Sequence, residues 1–152
     1  MTTPSNRSSL AIFSCTDGVA AKINDVALLV GRILIALVFL MTVWFGSPNV
    51  GYLTSLGLSG PGFWSGLALA VEWVIVVSLI LGIATRYGAL LGLLFVIIAT
   101  VLAHRYWQYP PAQQGVQYIF LTKNLAIMGG LVLLFINGGG RYSIDQALSG
   151  RN

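Results

Sequence analysis

Charge is nearly missing from this sequence. Of 152 residues, four are acidic and eight are basic, and there is one histidine and one cysteine. A disordered chain is excluded, because disorder needs low hydrophobicity and high charge. A single cysteine excludes a disulfide framework within the chain. One His and one Cys supply neither a metal site nor a pair of haem ligands. There is no Gly-rich phosphate loop, nucleophile elbow or CxxC pair either. The basic residues, Arg7, Lys22, Arg32, Arg86, Arg105, Lys123, Arg141 and Arg151, are scattered and form no patch. Nucleic acid is therefore not a partner. What the chain has in excess is apolar: 57% hydrophobic residues, with 18 glycines. So few charges could not solvate the surface of a soluble protein of this composition, and an integral membrane protein remains.

The charged positions divide the chain. Residues 33–71 are uncharged, as are 73–85, 87–104, 106–122 and 124–140. A spanning helix needs about 20 mainly apolar residues. Four segments meet this, at 25–46, 64–84, 87–104 and 118–137. Lipid leaves no partner for unpaired backbone groups, so these segments are helices. The fold expected is all-α, an integral membrane four-helix bundle. A flexible cytoplasmic arm (1–24) precedes the membrane domain (25–137), and a cytoplasmic tail (138–152) follows it. Gly46-Ser47-Pro48-Asn49, the turn formers of 57–62, the Thr85-Arg86 link, the polar 109–115 stretch and Gly138-Gly139-Gly140 separate the helices. Residues 143–148 predict a short surface helix. Cys15 reads as an ordinary thiol, since the apolar stretch before it is too short for a lipoprotein signal.

Orientation follows from Lys and Arg near the span ends. Arg7, Lys22, Arg86, Arg141 and Arg151 share one side, against Arg105 on the other, which places both termini in the cytoplasm. Trp44, Trp64, Tyr106, Trp107 and Tyr109 then fall at the outer interface, where aromatic belts form. The small pairs Gly62/Gly66, Gly88/Gly92 and Ala126/Gly130 let helix backbones approach.

Arg32, Glu72 and Lys123 lie inside spans, and His104 closes the third. A charge at mid-bilayer costs ~2.5–3.5 kcal/mol on insertion scales, so such groups face inward and pair. At about 1.5 Å per residue, Arg32 lies some 7–8 Å below Glu72 in depth, and Lys123 above it. The expected arrangement is Glu72 between Arg32 and Lys123 with His104 above. It serves either as a purely structural buried pair or as a polar pocket holding a ligand.

Several stretches resemble the DoxX family of small bacterial membrane proteins. They are Gly31-Arg32-Ile33-Leu34, residues 52–58, Val71-Glu72, Gly82-Ile83-Ala84-Thr85-Arg86, residues 99–104, Lys123-Asn124-Leu125-Ala126 with Gly129-Gly130, and residues 140–145. The resemblance runs over residues 30–146. It implies a multi-pass four-helix protein of the bacterial inner membrane and a link to quinone or thiol redox metabolism. Relatives include the DoxD-type subunit of thiosulfate:quinone oxidoreductase. The family's polar positions fall on Arg32, Glu72, His104, Lys123 and Asn124. Where many relatives carry a Lys near the end of helix one, this chain has Gly46-Ser47-Pro48.

Two functions are expected from these observations. In one, the chain is a quinone-linked subunit. Glu72 and His104 handle the proton, while Arg32, Lys123, Asn124 and Trp73 hold a quinone or small anion. In the other, it is a non-catalytic subunit docking on a larger membrane oxidoreductase, with other membrane subunits or a second copy of itself as partners.

Overall fold

Proline and glycine set the ends of the helices. The structure is a computed structural model that describes residues 4–46, 50–55, 57 and 59–150, with side chains in the first helix from residue 23 to 44. Helix α1 spans Pro4–Gly46, α2 Val50–Ser55, α3 Pro61–Leu81, α4 Thr85–Ala103, α5 Pro111–Asn137 and α6 Ile144–Ser149. A 3₁₀ turn at Tyr106–Gln108 joins α4 to α5. Prolines open α3 and α5 at the first helical turn, where a missing N–H costs nothing. Gly82, at φ 68°, ends α3 by taking a left-handed turn that suits a residue without Cβ.

Four stretches are long and apolar enough to cross a bilayer: Ile23–Trp44, Pro61–Leu81, Thr85–Gln108 and Pro111–Asn137. They correspond one to one to the four expected. Their bounds differ in instructive ways. Helix α1 begins at Pro4, so the expected arm is helical from there on. Pro4 is tolerated in a first turn, and only Gly18 weakens the helix before Asp25. Arg7, Cys15 and Lys22 lie outside the described side chains, and Arg151 outside the described residues. Helix α5 starts at Pro111 instead of residue 118, because Pro110-Pro111 starts a helix whose first turns carry the polar Gln113 and Gln114. The six-residue α2 was not expected. Helix α6 matches the expected surface helix.

The spanning helices form a ring in the order α1, α3, α4, α5, with α1 closing on α5. Its centre holds Ala36 and Phe39 of α1, Ile75 and Leu79 of α3, and Leu131 of α5. Outward face Leu34, Ile98, Ile119 and Leu133, all more than half exposed. In water this surface would aggregate; in lipid it is matched, which is why the chain needs so little charge. A Cβ on Gly88 would run into Ser78, and one on Gly92 would lie 3.2 Å from Leu131. That pair does bring α4 close to its neighbours. Gly62 and Gly66 have open space around them, so they make no such contact among the described residues.

Candidate functional site

The polar residues inside the bundle sort into three levels. We call the two faces the tail end, where α6 lies, and the loop end, where α2 and the 3₁₀ turn lie.

At the tail end, Arg32 is 1% exposed. It donates from Nη1 to the Gly139 carbonyl and from Nη2 to the Tyr142 carbonyl, both at 2.7 Å. Nε has no acceptor. Asp145 accepts from the backbone N–H groups of Ala84 at 2.6 Å and Thr85 at 2.8 Å, capping the start of α4 from sixty residues away. The Asp145 N–H in turn donates to the Gly82 carbonyl at 2.9 Å. Partial burial pushes the Asp145 carboxyl up. The backbone donors of Thr85 and Ala84, with Arg32 beyond them, outweigh it and hold the carboxyl below its usual value. The tail, the α3–α4 link and α1 are thus tied together by one guanidinium and one carboxylate. Around this lock lies an open, polar cleft of about 1020 Å³, lined by residues that include Asp25, Arg86 and Arg141.

In mid-bundle, Glu72 is 3% exposed. Oε1 accepts from the Thr42 hydroxyl at 2.9 Å, and Oε2 has no partner among the described residues. The expected convergence of Arg32, Glu72 and Lys123 does not occur. A side chain on a helix leans toward that helix's N-terminus. Arg32 sits on α1, which starts at the tail end, and reaches down to the level of Gly82, whose added Cβ would collide with its Nη1. Glu72 sits on α3, which starts at the loop end, and leans the other way. Gly82 is ten residues beyond Glu72, so guanidinium and carboxylate are about 15 Å apart along the axis. Backbone rise alone had placed them within reach; side-chain direction separates them.

Lys123 is exposed, with Nζ 4.8 Å from the Phe120 ring centroid. Trp73, expected to pack on a ligand ring, is 45% exposed on the outer surface of α3 and does not face the interior. Asn124 does: its Nδ2 donates to Thr100 Oγ1 at 2.9 Å, and Thr100 donates to the Val96 carbonyl at 2.6 Å.

At the loop end, His104 Nδ1 lies 2.8 Å from Gln117 Oε1. Its ring centroid is 5.2 Å from that of Phe120, so Phe120 touches both His104 and Lys123. Beside His104 opens a cavity of about 670 Å³, lined among others by Tyr52, Leu102, Arg105, Tyr109 and Gln117. Tyr52 donates to the Leu102 carbonyl at 3.0 Å, and Tyr109 to the Ala103 carbonyl at 2.9 Å. Burial pushes the Tyr52 phenol above its ordinary value; Tyr109 adds to the rise and Arg105 pulls against it. The Nε of Arg105 is buried without an acceptor among the described residues. Sequence reasoning used Arg105 only for orientation and missed Tyr52, Tyr109 and Gln117 as wall residues. Gln117 stands thirteen residues from His104 on another helix, a spacing with no recognisable period.

The DoxX family profile matches residues 27–105. Two proteins of Escherichia coli (strain K12) are similar over most of their length. Inner membrane protein YqjF is 33% identical over 132 residues, covering 84% of this chain and 96% of its own. Inner membrane protein YphA is 32% identical over 130 residues, covering 81% and 91%. No solved structure is a significant match. With four spanning helices and these relatives, the chain is a multi-pass inner-membrane protein and belongs to the DoxX family.

Proposed function

We propose that the protein serves quinone-linked redox metabolism and that its loop-end cavity receives a quinone headgroup. The observation that carries this reading is the Arg105 guanidinium, whose buried Nε lacks an acceptor among the described residues at the wall of a cavity of about 670 Å³. That volume lies within the roughly 300–1,000 Å³ typical of small-molecule sites. A quinone supplies carbonyl oxygens that accept hydrogen bonds and takes up electrons together with protons. Arg105 supplies the donor it requires, while the His104 ring, its Nδ1–H given to the Gln117 oxygen, offers Nε2 as a proton acceptor. The Gln117 contact orients the imidazole and fixes which nitrogen keeps the proton. Tyr52 and Tyr109, held by their hydroxyls to α4 carbonyls, offer ring faces as walls. Lys123, across Phe120 from His104, adds positive potential without lining the cavity. Electrons come from a partner oxidoreductase subunit in this reading. The tail end, with exposed Arg86 and Arg141, faces the cytoplasm by the positive-inside rule.

The test is a titration of the purified protein in lipid nanodiscs with a short-tailed quinone. Saturable binding is expected, weakened roughly 10–100-fold by Arg105→Ala, the effect of one hydrogen bond to a charged group. Lys123→Ala should weaken it far less. Absence of saturable binding by the unaltered protein would remove the proposal.

A second reading is a non-catalytic subunit that docks on a larger complex. The open surface at Gly62 and Gly66 of α3 supports it, since small residues let another helix approach. Stoichiometric co-purification of a membrane partner, lost in Gly66→Leu and coupled to no quinone binding, would favour it.

A further inference from the structure

Glu72 is the only glutamate in the chain, and the lock and the loop-end cavity leave it unused. The groups that share its surroundings are few. From α1 come the neutral Thr42, which donates to it, and Arg32, which is turned away to Gly139 and Tyr142. From α2 comes Tyr52, whose hydroxyl is committed to Leu102. From α4 comes no ionisable group between Tyr87, which is exposed at the tail end, and His104. From α5 comes Lys123, exposed and lying over Phe120. No described cation compensates the carboxyl. A lone carboxylate at this depth costs several kcal/mol, and a buried carboxyl in that position takes a proton instead.

Buried neutral polar groups lie on both sides of Glu72, but those on the tail side, Ser78, Thr85 and Ser143, belong to the α3–α4 link and the tail, and the Ser78 hydroxyl is already committed to the Ile83 carbonyl. Toward the loop end come the Asn124–Thr100 pair and then the His104–Gln117 pair at the cavity. Thr100 and His104 are one helical turn apart, about 6 Å. The gap from Glu72 to Thr100 follows from helix register. A Cβ on Gly92 would sit 3.5 Å from Ile75; in these antiparallel helices Thr100, eight residues after Gly92, and Glu72, three before Ile75, both lie toward the loop end from that level. The axial gap is then about 7–8 Å, a distance that one or two waters bridge, and Oε2, without a partner among the described residues, donates to such a water when protonated and accepts from it when not. Toward the tail end, Ile75, Val76, Leu79, Leu131 and Leu134 are all buried and close the interior with apolar side chains.

We propose that Glu72 is an intramembrane proton-loading site that fills and empties from the loop end alone, through His104–Gln117 and Thr100–Asn124. A proton from the loop-end solvent forms the O–H bond at the carboxylate, and release breaks that bond and returns the proton by the same file. No other group changes charge. The inference does not depend on what occupies the loop-end cavity.

The experiment uses the full chain in vesicles of one orientation, treated with dicyclohexylcarbodiimide, an apolar reagent that attacks protonated carboxyls from the lipid. Mass spectrometry of the peptide that holds residue 72 should show an adduct at neutral pH. Its yield should fall about tenfold per pH unit once the carboxyl's midpoint is passed. Glu72→Gln, which keeps a partner for Thr42, should show no adduct there. A pH jump on the loop-end face should change the labelling rate at once, and one on the tail face should not. Asn124→Leu should delay the loop-end response and leave the final yield unchanged. A folded chain without adduct, a yield independent of pH, or an equal response from both faces would overturn the proposal.

Discussion

The two ends of the bundle carry similar side chains and use them in opposite ways. At the tail end an Arg and an Asp finish on backbone groups: Arg32 on two carbonyls of the tail and Asp145 on two N–H groups at the start of α4. At the loop end an Arg and a His border open space, with Arg105 lacking an acceptor among the described residues and His104 held by one amide. Residue type therefore does not tell a structural charge from a functional one. What separates them is whether the backbone has already consumed the charge.

The largest effect expected from breaking this contrast is at Arg32. Arg32→Met removes a buried cation on which two carbonyls rely, a change on the order of 3–5 kcal/mol. Unfolding in mixed detergent micelles should show it, with the tail becoming open to protease. Next comes Gly82→Ala. Its φ of 68° disfavours a side chain, and the new Cβ would meet Ser143 Cβ at 2.6 Å and collide with Arg32. A loss of about 2–3 kcal/mol is expected, measured in the same unfolding series.

Asp145 sharpens the contrast through pH. Its folded carboxyl titrates below the usual 3.8, so the folded state binds that proton less readily than the unfolded chain. Its stabilisation is present above pH 3.8 and is lost as pH falls through the lower folded value. Thermal midpoints of the unaltered protein and Asp145→Asn should differ at neutral pH and converge below pH 3.8. The smallest stability effect belongs to the loop end. Arg105→Ala should change unfolding by less than about 1 kcal/mol, because no acceptor among the described residues is lost, while quinone affinity falls.

The architecture was readable from the sequence because lipid imposes one rule on every spanning segment. The uncharged runs between Arg32, Glu72, Arg86 and Lys123 marked four helices and Gly138 the end of the last, whereas the stop at Gly82 fell inside the expected 64–84. Burial of Arg32 and Glu72 was readable too, since charges at that depth turn inward. Their partners were not. Axial rise is written in residue numbers, but the lean of a side chain toward its own N-terminus reverses between antiparallel neighbours. That reversal sends Arg32 to Gly139 and Glu72 to Thr42. The loop-end walls were hidden for another reason. Tyr52, Arg105 and Gln117 come from separate elements, one of them the unexpected α2, and no period links them.

The account rests on the loop end being the binding end. A photoreactive quinone, cross-linked to the protein in membranes and mapped by mass spectrometry, tests this directly. Labels on the peptides bearing Tyr52, Arg105 and Gln117, displaced by excess unlabelled quinone and lost in Arg105→Ala, are the predicted result. Displaceable labels confined to the tail-end cleft around Arg86 and Arg141, with the loop end unmarked, would contradict it.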